Sequence, residues 1–136
     1  MKKFLYSSLL IILVSAFISP HVNAQTSLIS TGNSLARDTV TNTASKTWSA
    51  RISGPKTAVT IQVDVTKISG TLAGSLTAVV SNDGTTYYAS GSAYTVTDVS
   101  SQGTTFSPPL GWRYYGIKWT GTGTMSGSAV SKINAY

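Results

Sequence analysis

Apolar and polar residues alternate along much of the chain, most clearly from Thr57 to Ile68. In this segment Val59, Ile61, Val63 and Val65 alternate with Thr60, Gln62, Asp64 and Thr66. A period of two places aliphatic side chains on one face of a β-strand and polar side chains on the other. The pattern therefore predicts an amphipathic strand whose aliphatic face packs in a core.

Further segments show the same alternation, with Trp48 and Ile52 in register in one of them and Tyr115, Ile117 and Trp119 in register in another. We expect these residues to be buried. The predicted strands are Lys46 to Ser53, Leu72 to Val80, Trp112 to Trp119 and Thr124 to Ala135, with shorter ones at Thr85 to Ala89 and Ala93 to Val99.

Glycine, proline and Asn-Asp-Gly sequences separate these segments and predict turns. Gly54-Pro55-Lys56 predicts a hairpin between the strands on either side of it, and Gly121-Thr122-Gly123 predicts a hairpin that closes the chain. Asn82-Asp83-Gly84 is typical of a tight turn. Ser100 to Leu110 contains Pro108-Pro109, which predicts a loop or an edge strand around Phe106.

No segment has apolar residues at helical spacing over three turns, and Ser, Thr and Gly are poor helix formers. About eight short strands, with a turn roughly every ten residues, are typical of an antiparallel fold. The predicted fold class is all-β: a single antiparallel β-sandwich, Ig-like or jelly-roll-like. A small barrel is the alternative.

The N-terminal residues have the layout of a secretory signal peptide. Lys2 and Lys3 precede an apolar run from Phe4 to Ile18, and Val22 and Ala24 place small residues where a signal peptidase cuts. We predict cleavage after Ala24, with an uncleaved N-terminal anchor as the alternative; about fifteen apolar residues are short for a membrane span. The predicted domains are a signal peptide (1–24), a polar N-terminal arm or edge strand (25–45) and a β-sandwich (46–136).

The charge balance of the chain disfavours nucleic acid as a partner. The full sequence has a formal charge of +6, and removal of Lys2 and Lys3 leaves eight basic against four acidic residues, or +4. These charges are scattered along the chain, whereas nucleic-acid binding needs basic residues clustered on one face. No segment after the signal peptide is apolar enough for a stable membrane span.

The residues that most enzymes and metal sites use are scarce. The chain has no Cys, its one His is His21 in the predicted signal peptide, and its acidic residues are four Asp. A nucleophile paired with His is excluded once the signal peptide is removed, and Asn82-Asp83-Gly84 is too short for a calcium loop. We predict a protein that is not an enzyme, with no catalytic residues, no metal and no cofactor.

The aromatic cluster near the C-terminus supplies the candidate binding residues. Exposed aromatic rings stack on sugars or anchor protein interfaces. Trp112 and Arg113 follow the Pro108-Pro109 loop, and alternation places Tyr114 on the face opposite Tyr115. The predicted binding residues are Trp112, Arg113 and Tyr114, although packing in the core is the alternative role for Trp112.

Several segments carry a resemblance to a known group. The runs from Gly70 to Leu76, Ser81 to Tyr88 and Tyr114 to Met125, together with Thr57 to Gly70, resemble small β-sandwich proteins encoded in the structural regions of phages and prophages. The resemblance implies a virion or surface component such as a capsid decoration, fibre or spike. It implies no active-site residues, and the signal peptide is a departure from the group.

Two functions remain after these exclusions. The first is a non-enzymatic structural or interaction module of a virion or the cell exterior, acting by self-assembly and surface contact, with partners that are other copies of the chain or other surface or virion proteins. The alternative is a secreted carbohydrate-binding or adhesive domain with a glycan partner. Both predict an extracytoplasmic location: secreted, on the cell surface or in a virion.

Overall fold

The computed structural model describes the backbone of residues 33–136 and the side chains of residues 38–136. The predicted signal peptide and cleavage site, with the first part of the predicted N-terminal arm, lie outside the described residues. Within residues 33–136 the chain forms nine β-strands and no helix. No helix in this part of the chain is therefore long and apolar enough to cross a membrane.

The strands form two antiparallel sheets, and the predicted all-β sandwich is confirmed. Sheet A has the order β1-β9-β3-β7, and sheet B has the order β2-β8-β4-β5, with β6 also pairing to β4. The strands are β1 Asn33–Thr41, β2 Ser45–Arg51, β3 Val59–Gly70, β4 Gly74–Ser81, β5 Tyr88–Ala89, β6 Tyr94–Val96, β7 Ser101–Phe106, β8 Tyr114–Gly121 and β9 Met125–Ala135.

The core lies between the inner faces of the two sheets, where the sequence alternation predicted it. In β3 the four aliphatic residues from Val59 to Val65 are all buried, and Tyr115, Ile117 and Trp119 are buried in β8. Trp48 is also buried, whereas Lys118 is exposed. Burial of these apolar side chains is the main force that stabilises the fold.

The two predicted hairpins are wrong. β2 pairs with β8 in sheet B, whereas β3 belongs to sheet A, so Gly54-Pro55-Lys56 connects the two sheets. Gly121-Thr122-Gly123 likewise joins β8 in sheet B to β9 in sheet A. Alternation shows which face of a strand is buried, but it does not distinguish a neighbour in the same sheet from one across the core.

The segment that follows the Asn-Asp-Gly turn and the segment that precedes the two prolines both form strands at the edges of the sheets. β4 and β5 are antiparallel neighbours, but the connection between them extends to Tyr87 and is longer than a tight hairpin turn. The segment around Phe106 forms an edge strand of sheet A, as one of the two predicted alternatives proposed. β1 is the opposite edge of that sheet.

A glycine in β9 lets the two sheets approach closely. A Cβ atom at Gly127 would lie 2.6 Å from Trp119 Cη2 and 2.6 Å from Leu72 Cδ1. Carbon atoms do not pack this closely, so any larger residue would push these buried side chains away. Gly127 thus permits the large Trp119 ring to fill the core.

Polar contacts between the sheets close the two open sides of the sandwich. On the side formed by β1 and β2, Lys46 Nζ donates to both carboxylate oxygens of Asp38 at 2.7 and 2.8 Å. On the side formed by β6 and β7, Gln102 bonds with Thr97, and Tyr94 donates its hydroxyl to Gln102 Oε1 at 3.3 Å. The first side is closed by an ion pair between its two edge strands, and the second by a neutral amide from β7, with the Lys67–Asp98 ion pair beyond the end of that strand.

Candidate functional site

A cleft opens at the end of the sandwich where the β2–β3 and β7–β8 connections meet. We call it the end cleft; its volume is about 220 Å³. Lys56 is the one charged residue that lines the cleft, and Tyr115 forms part of its inner wall. The complete lining is Ile52, Gly54, Pro55, Lys56, Val59, Leu110, Gly111, Trp112 and Tyr115.

An aromatic pair lies at the edge of the end cleft. The ring centroids of Tyr88 and Trp112 are 6.1 Å apart, and their planes are tilted by 38°. Tyr88 is 57% exposed, and Leu110, which also lines the cleft, is 44% exposed. Trp112 is half-buried and packs against the core. The cleft therefore presents a partly exposed apolar and aromatic surface, which is unusual on a chain rich in Ser and Thr.

Strand pairing positions Tyr88 at this end of the molecule. Val80 in β4 is opposite Tyr88 on one side and opposite Tyr115 on the other. Residues directly opposite in antiparallel strands point to the same face, so Tyr88 continues the row of inward-facing side chains. Since β5 is at the sheet edge, the ring of Tyr88 remains accessible there.

The connection before β5 is held by a compact hydrogen-bond network. Asp83 Oδ1 accepts bonds from the backbone N–H groups of Thr85 and Thr86, each at 2.8 Å, and from the Ser81 hydroxyl at 2.8 Å. These bonds, first those from Thr85 and Thr86, hold the pKa of Asp83 well below its usual range. The ionised carboxylate thus fixes the turn that leads to Tyr88.

Backbone contacts fix Trp112 and Arg113 between the strands. The Trp112 N–H donates to the Tyr115 hydroxyl at 3.2 Å. The Arg113 N–H lies 3.2 Å from the Ser81 carbonyl, and the Arg113 carbonyl accepts from the Ile52 N–H at 2.9 Å. The Arg113 side chain is exposed. The aromatic ring and the neighbouring cation are therefore presented by an ordered backbone.

Tyr114 has a different environment from the other two predicted residues. A Cβ atom at Gly84 would lie 3.0 Å from Tyr114 Cζ, so the backbone of the β4–β5 connection packs directly on this ring. Gly84 has a φ of +77°, a conformation that glycine adopts readily. Tyr114 is half-buried on the outer side of sheet B and does not line the end cleft.

The structure thus brings Trp112 and Arg113 to one end of the molecule and separates Tyr114 from the cleft lining. It also adds Tyr88, Leu110 and Lys56, which the sequence pattern did not single out. Tyr88 was missed because β5 has two residues, too few to show alternation. The tyrosine after an Asn-Asp-Gly turn was the available signal.

The four aspartates of the described chain all have partners that account for them. Asp38 bonds with Lys46, and Asp98 with Lys67 and the Leu72 N–H. The side-chain bond from each lysine is the main cause that lowers the pKa of Asp38 and Asp98, followed by a bond from a backbone N–H. Asp83 fixes its turn, and Asp64 accepts from the Gln62 amide. Carboxylates held in this way are suited to structural roles.

The described residues contain no group of three or more His, Asp or Glu side chains that could hold a metal ion. Over the same part of the chain, the end cleft offers an ammonium group, two aromatic rings and aliphatic carbon. These groups support contact by stacking, by apolar packing and by pairing with an anion.

Comparisons with known proteins show a fold and no family. No protein family and no curated protein matches the sequence. The PBSX exported protein XepA has a similar structure, with a TM-score of 0.59 and 13% identity over 79% of this chain. This chain covers 39% of XepA. At this identity, the likeness shows the sandwich fold alone.

Two other solved structures are similar at lower scores. The CBM22-1 xylan-binding domain of Paenibacillus barcinonensis Xyn10C has a TM-score of 0.42 and 10% identity, covering 79% of this chain and 97% of that domain. A Bacillus endospore appendage protein, described as forming disulfide-linked pili, has a TM-score of 0.36 and 19% identity, covering 79% of this chain and 93% of that one.

Proposed function

We propose that the chain is a non-enzymatic structural or interaction module of a virion or the cell exterior, and that it acts by contact through the end cleft. The observation that carries the proposal is the pair formed by the exposed Tyr88 and the half-buried Trp112, beside the exposed Leu110. Aromatic residues in a preformed recess are typical anchors of protein interfaces. An extracytoplasmic location follows from the predicted signal peptide.

The rigid surroundings of the pair support a binding role. The Asp83 network orders the segment before Tyr88, and the Tyr115 hydroxyl and the Ile52 N–H anchor Trp112 and Arg113. A contact surface that is ordered before binding loses less conformational entropy when a partner docks. Lys56 and the exposed Arg113 add positive charge at the same end, which favours a partner with acidic groups.

A binding experiment with a matched control tests this site. The processed chain and its Tyr88→Ala and Trp112→Ala variants would be incubated with washed cells and with purified particles from the producing culture. Bound protein would then be measured after sedimentation. We expect each variant to bind at least about tenfold more weakly than the wild type, as for loss of an interface anchor.

Tyr136→Ala is the control because Tyr136 is similarly exposed, at 62%, and does not line the end cleft. This variant should bind as the wild type does. Equal binding by the wild type, Tyr88→Ala and Trp112→Ala would reject the end cleft as the contact site, provided that the circular dichroism spectra of all three agree.

A carbohydrate-binding or adhesive function is the second candidate, and the same aromatic pair favours it. Flat rings that flank a recess stack on the apolar faces of sugars, while Lys56 and Arg113 can donate hydrogen bonds to hydroxyl or carboxylate groups. A glycan array probed with the wild type and Trp112→Ala separates the two candidates. Glycan binding that Trp112→Ala abolishes supports the second, whereas binding to cells or particles without any glycan signal supports the first.

A further inference from the structure

The four outer edges of the two sheets differ in how well they are protected against pairing with another chain. An edge strand exposes unpaired backbone N–H and C=O groups, and natural proteins protect such edges with charges, bulges or very short strands. In sheet A the edges are β1 and β7. In sheet B they are β2 on one side and the short β5 and β6 on the other.

Three of these edges carry such protection. β1 contains Arg37 and Asp38 and has an irregular register between Ser34 and Ala36. β2 contains Lys46, whose ammonium group turns to Asp38, and ends at Arg51. β5 and β6 have two and three residues, which is too short to template a stable pair.

The β7 edge has none of these features. Its sequence from Ser101 to Phe106 contains no charged residue and no proline. It pairs with β3 in continuous register over six residue pairs, from Ile61 opposite Phe106 to Thr66 opposite Ser101. The nearby carboxylate of Asp98 precedes the strand and is bound to Lys67. One charge of β3 lies beside the strand, since a Cβ atom at Gly103 would be 2.8 Å from Asp64 Oδ1. β7 itself is a regular strand with no charged side chain, and its outer backbone groups have no strand partner in the described part of the chain.

We propose that β7 pairs with β7 of a second copy of this chain, in antiparallel orientation about a two-fold axis. A second copy is the occupant because two identical neutral strands meet without repulsion, whereas self-pairing of β2 would bring two Lys46 side chains together. The two four-stranded A sheets would become one eight-stranded sheet. The contact closes on itself, so assembly through it ends at the dimer.

The side-chain pattern selects the register of the pair. Gln102, Thr104 and Phe106 are half-buried and lie opposite the buried residues Val65, Val63 and Ile61 of β3, whereas Ser101, Gly103 and Thr105 are exposed. Registers centred on Gly103 and on Thr104 both keep inner faces against inner faces, whereas an axis between two residues would break this match. We place the axis at Thr104 because this register includes Phe106 in the pair, and centring on Gly103 leaves Phe106 beyond the paired residues. In this register Phe106 of one copy covers Gln102 of the other.

Disulfide trapping tests the pair directly, because the chain contains no cysteine. In the proposed dimer, residue 104 lies opposite itself, with Cβ atoms about 4.5–5.5 Å apart. Thr104→Cys should therefore form a covalent dimer under mild oxidation. Ala50→Cys is the matched control, since Ala50 is also half-buried and packs against the core on an edge strand, β2.

We expect Thr104→Cys to crosslink at least about tenfold faster than Ala50→Cys. Equal rates in two variants with native circular dichroism spectra would overturn the proposal. A second measurement does not depend on an inward-facing cysteine. It compares the sedimentation of the wild type with that of Thr105→Lys over a range of concentrations. Thr105 is exposed, so this variant should fold.

In the dimer the two residues at position 105 lie near the two-fold axis, and paired lysines there should repel each other. We expect Thr105→Lys to raise the dimer dissociation constant at least about tenfold. A wild type that stays monomeric at all concentrations, or a dimer unchanged by Thr105→Lys, would refute the pairing. The β7 residues do not line the end cleft, so failure of this test leaves the proposed contact at Tyr88 and Trp112 intact.

Discussion

The two open sides of the sandwich separate the same core from solvent by different chemistry. On the β1–β2 side, a lysine and an aspartate from opposite sheets form an ion pair, and both side chains are about two-fifths exposed. On the β6–β7 side, the amide of Gln102 exchanges hydrogen bonds with the Thr97 backbone at 2.6 and 3.1 Å. The Lys67–Asp98 pair lies near this second side, outside β7 itself.

The difference separates two requirements that an edge must meet. Both sides join the sheets with polar bonds, so each closes the core. The charged side also resists pairing with another chain, because a strand that docked there would meet a cation and an anion. On the other side the edge strand β7 has no charged residue of its own, and the nearby charges belong to β3 and to Asp98, which precedes β7. This difference is the reason that we propose β7, and not β1 or β2, as the edge that pairs with a second copy.

The largest stability effect should come from removing the neutral amide. Gln102→Ala breaks both bonds to the Thr97 backbone, whose exposed groups can then bond to water, so we expect a loss of about 0.5–1.5 kcal/mol in the free energy of unfolding. Urea denaturation measures this change. Gln62→Ala is the control, because exposed Gln62 bonds within its own strand, to Asp64, and should cost about 0.5 kcal/mol or less. Equal losses would show that the Gln102 network does not hold the sheets together.

The ion pair on the opposite side should contribute less. Asp38→Asn removes the charge but keeps a side chain of the same size, and exposed ion pairs stabilise folded proteins weakly. We expect a smaller decrease in the urea midpoint than for Gln102→Ala. The decrease should become smaller still in 1 M salt, where screening weakens the wild-type pair. A larger effect than that of Gln102→Ala would reverse the ranking of the two sides.

The smallest expected effect is on the loss of stability at acidic pH. The lowered pKa values of Asp38 and Asp98 mean that their ion pairs stabilise the fold fully above about pH 4, the unfolded value, and that this stability is lost as pH falls through the folded values. Asp83 adds a contribution of the same sign. Asp38→Asn should therefore lose slightly less stability than the wild type between about pH 5 and pH 2, measured by thermal unfolding. Identical pH profiles would indicate that Asp38 does not contribute through its charge.

Burial and strand pairing differ in how far the sequence determines them. Alternation in β3 and β8 identified buried residues correctly. The face on which a side chain lies depends only on whether its position along its own strand is odd or even. Partner choice is not local: the segments around Gly54-Pro55-Lys56 pass between sheets although the residues favour a turn. Two strands with the same alternation can pair in one sheet or pack against each other across the core. The alternation pattern is the same in both cases.

The candidate site was predictable in part for the same reason. Trp112 was identified because an aromatic residue follows a proline loop, but its contact with Tyr88 depends on the pairing of β4 with β5. The partial covering of Tyr114 depends on Gly84 in the connection between those strands. Contacts of this kind become visible when distant segments are placed together, and the strand pattern of either segment alone does not contain them.

The claim that the chain is an exterior contact module is tested most directly by locating it in the producing culture. Purified particles, membranes and soluble supernatant would be analysed by mass spectrometry for the wild type and for Trp112→Ala. We predict that the wild type begins at Gln25 and is recovered with particles or cell surfaces, and that Trp112→Ala shifts to the supernatant. An unprocessed chain retained inside cells, or the same distribution for both proteins, would contradict the account.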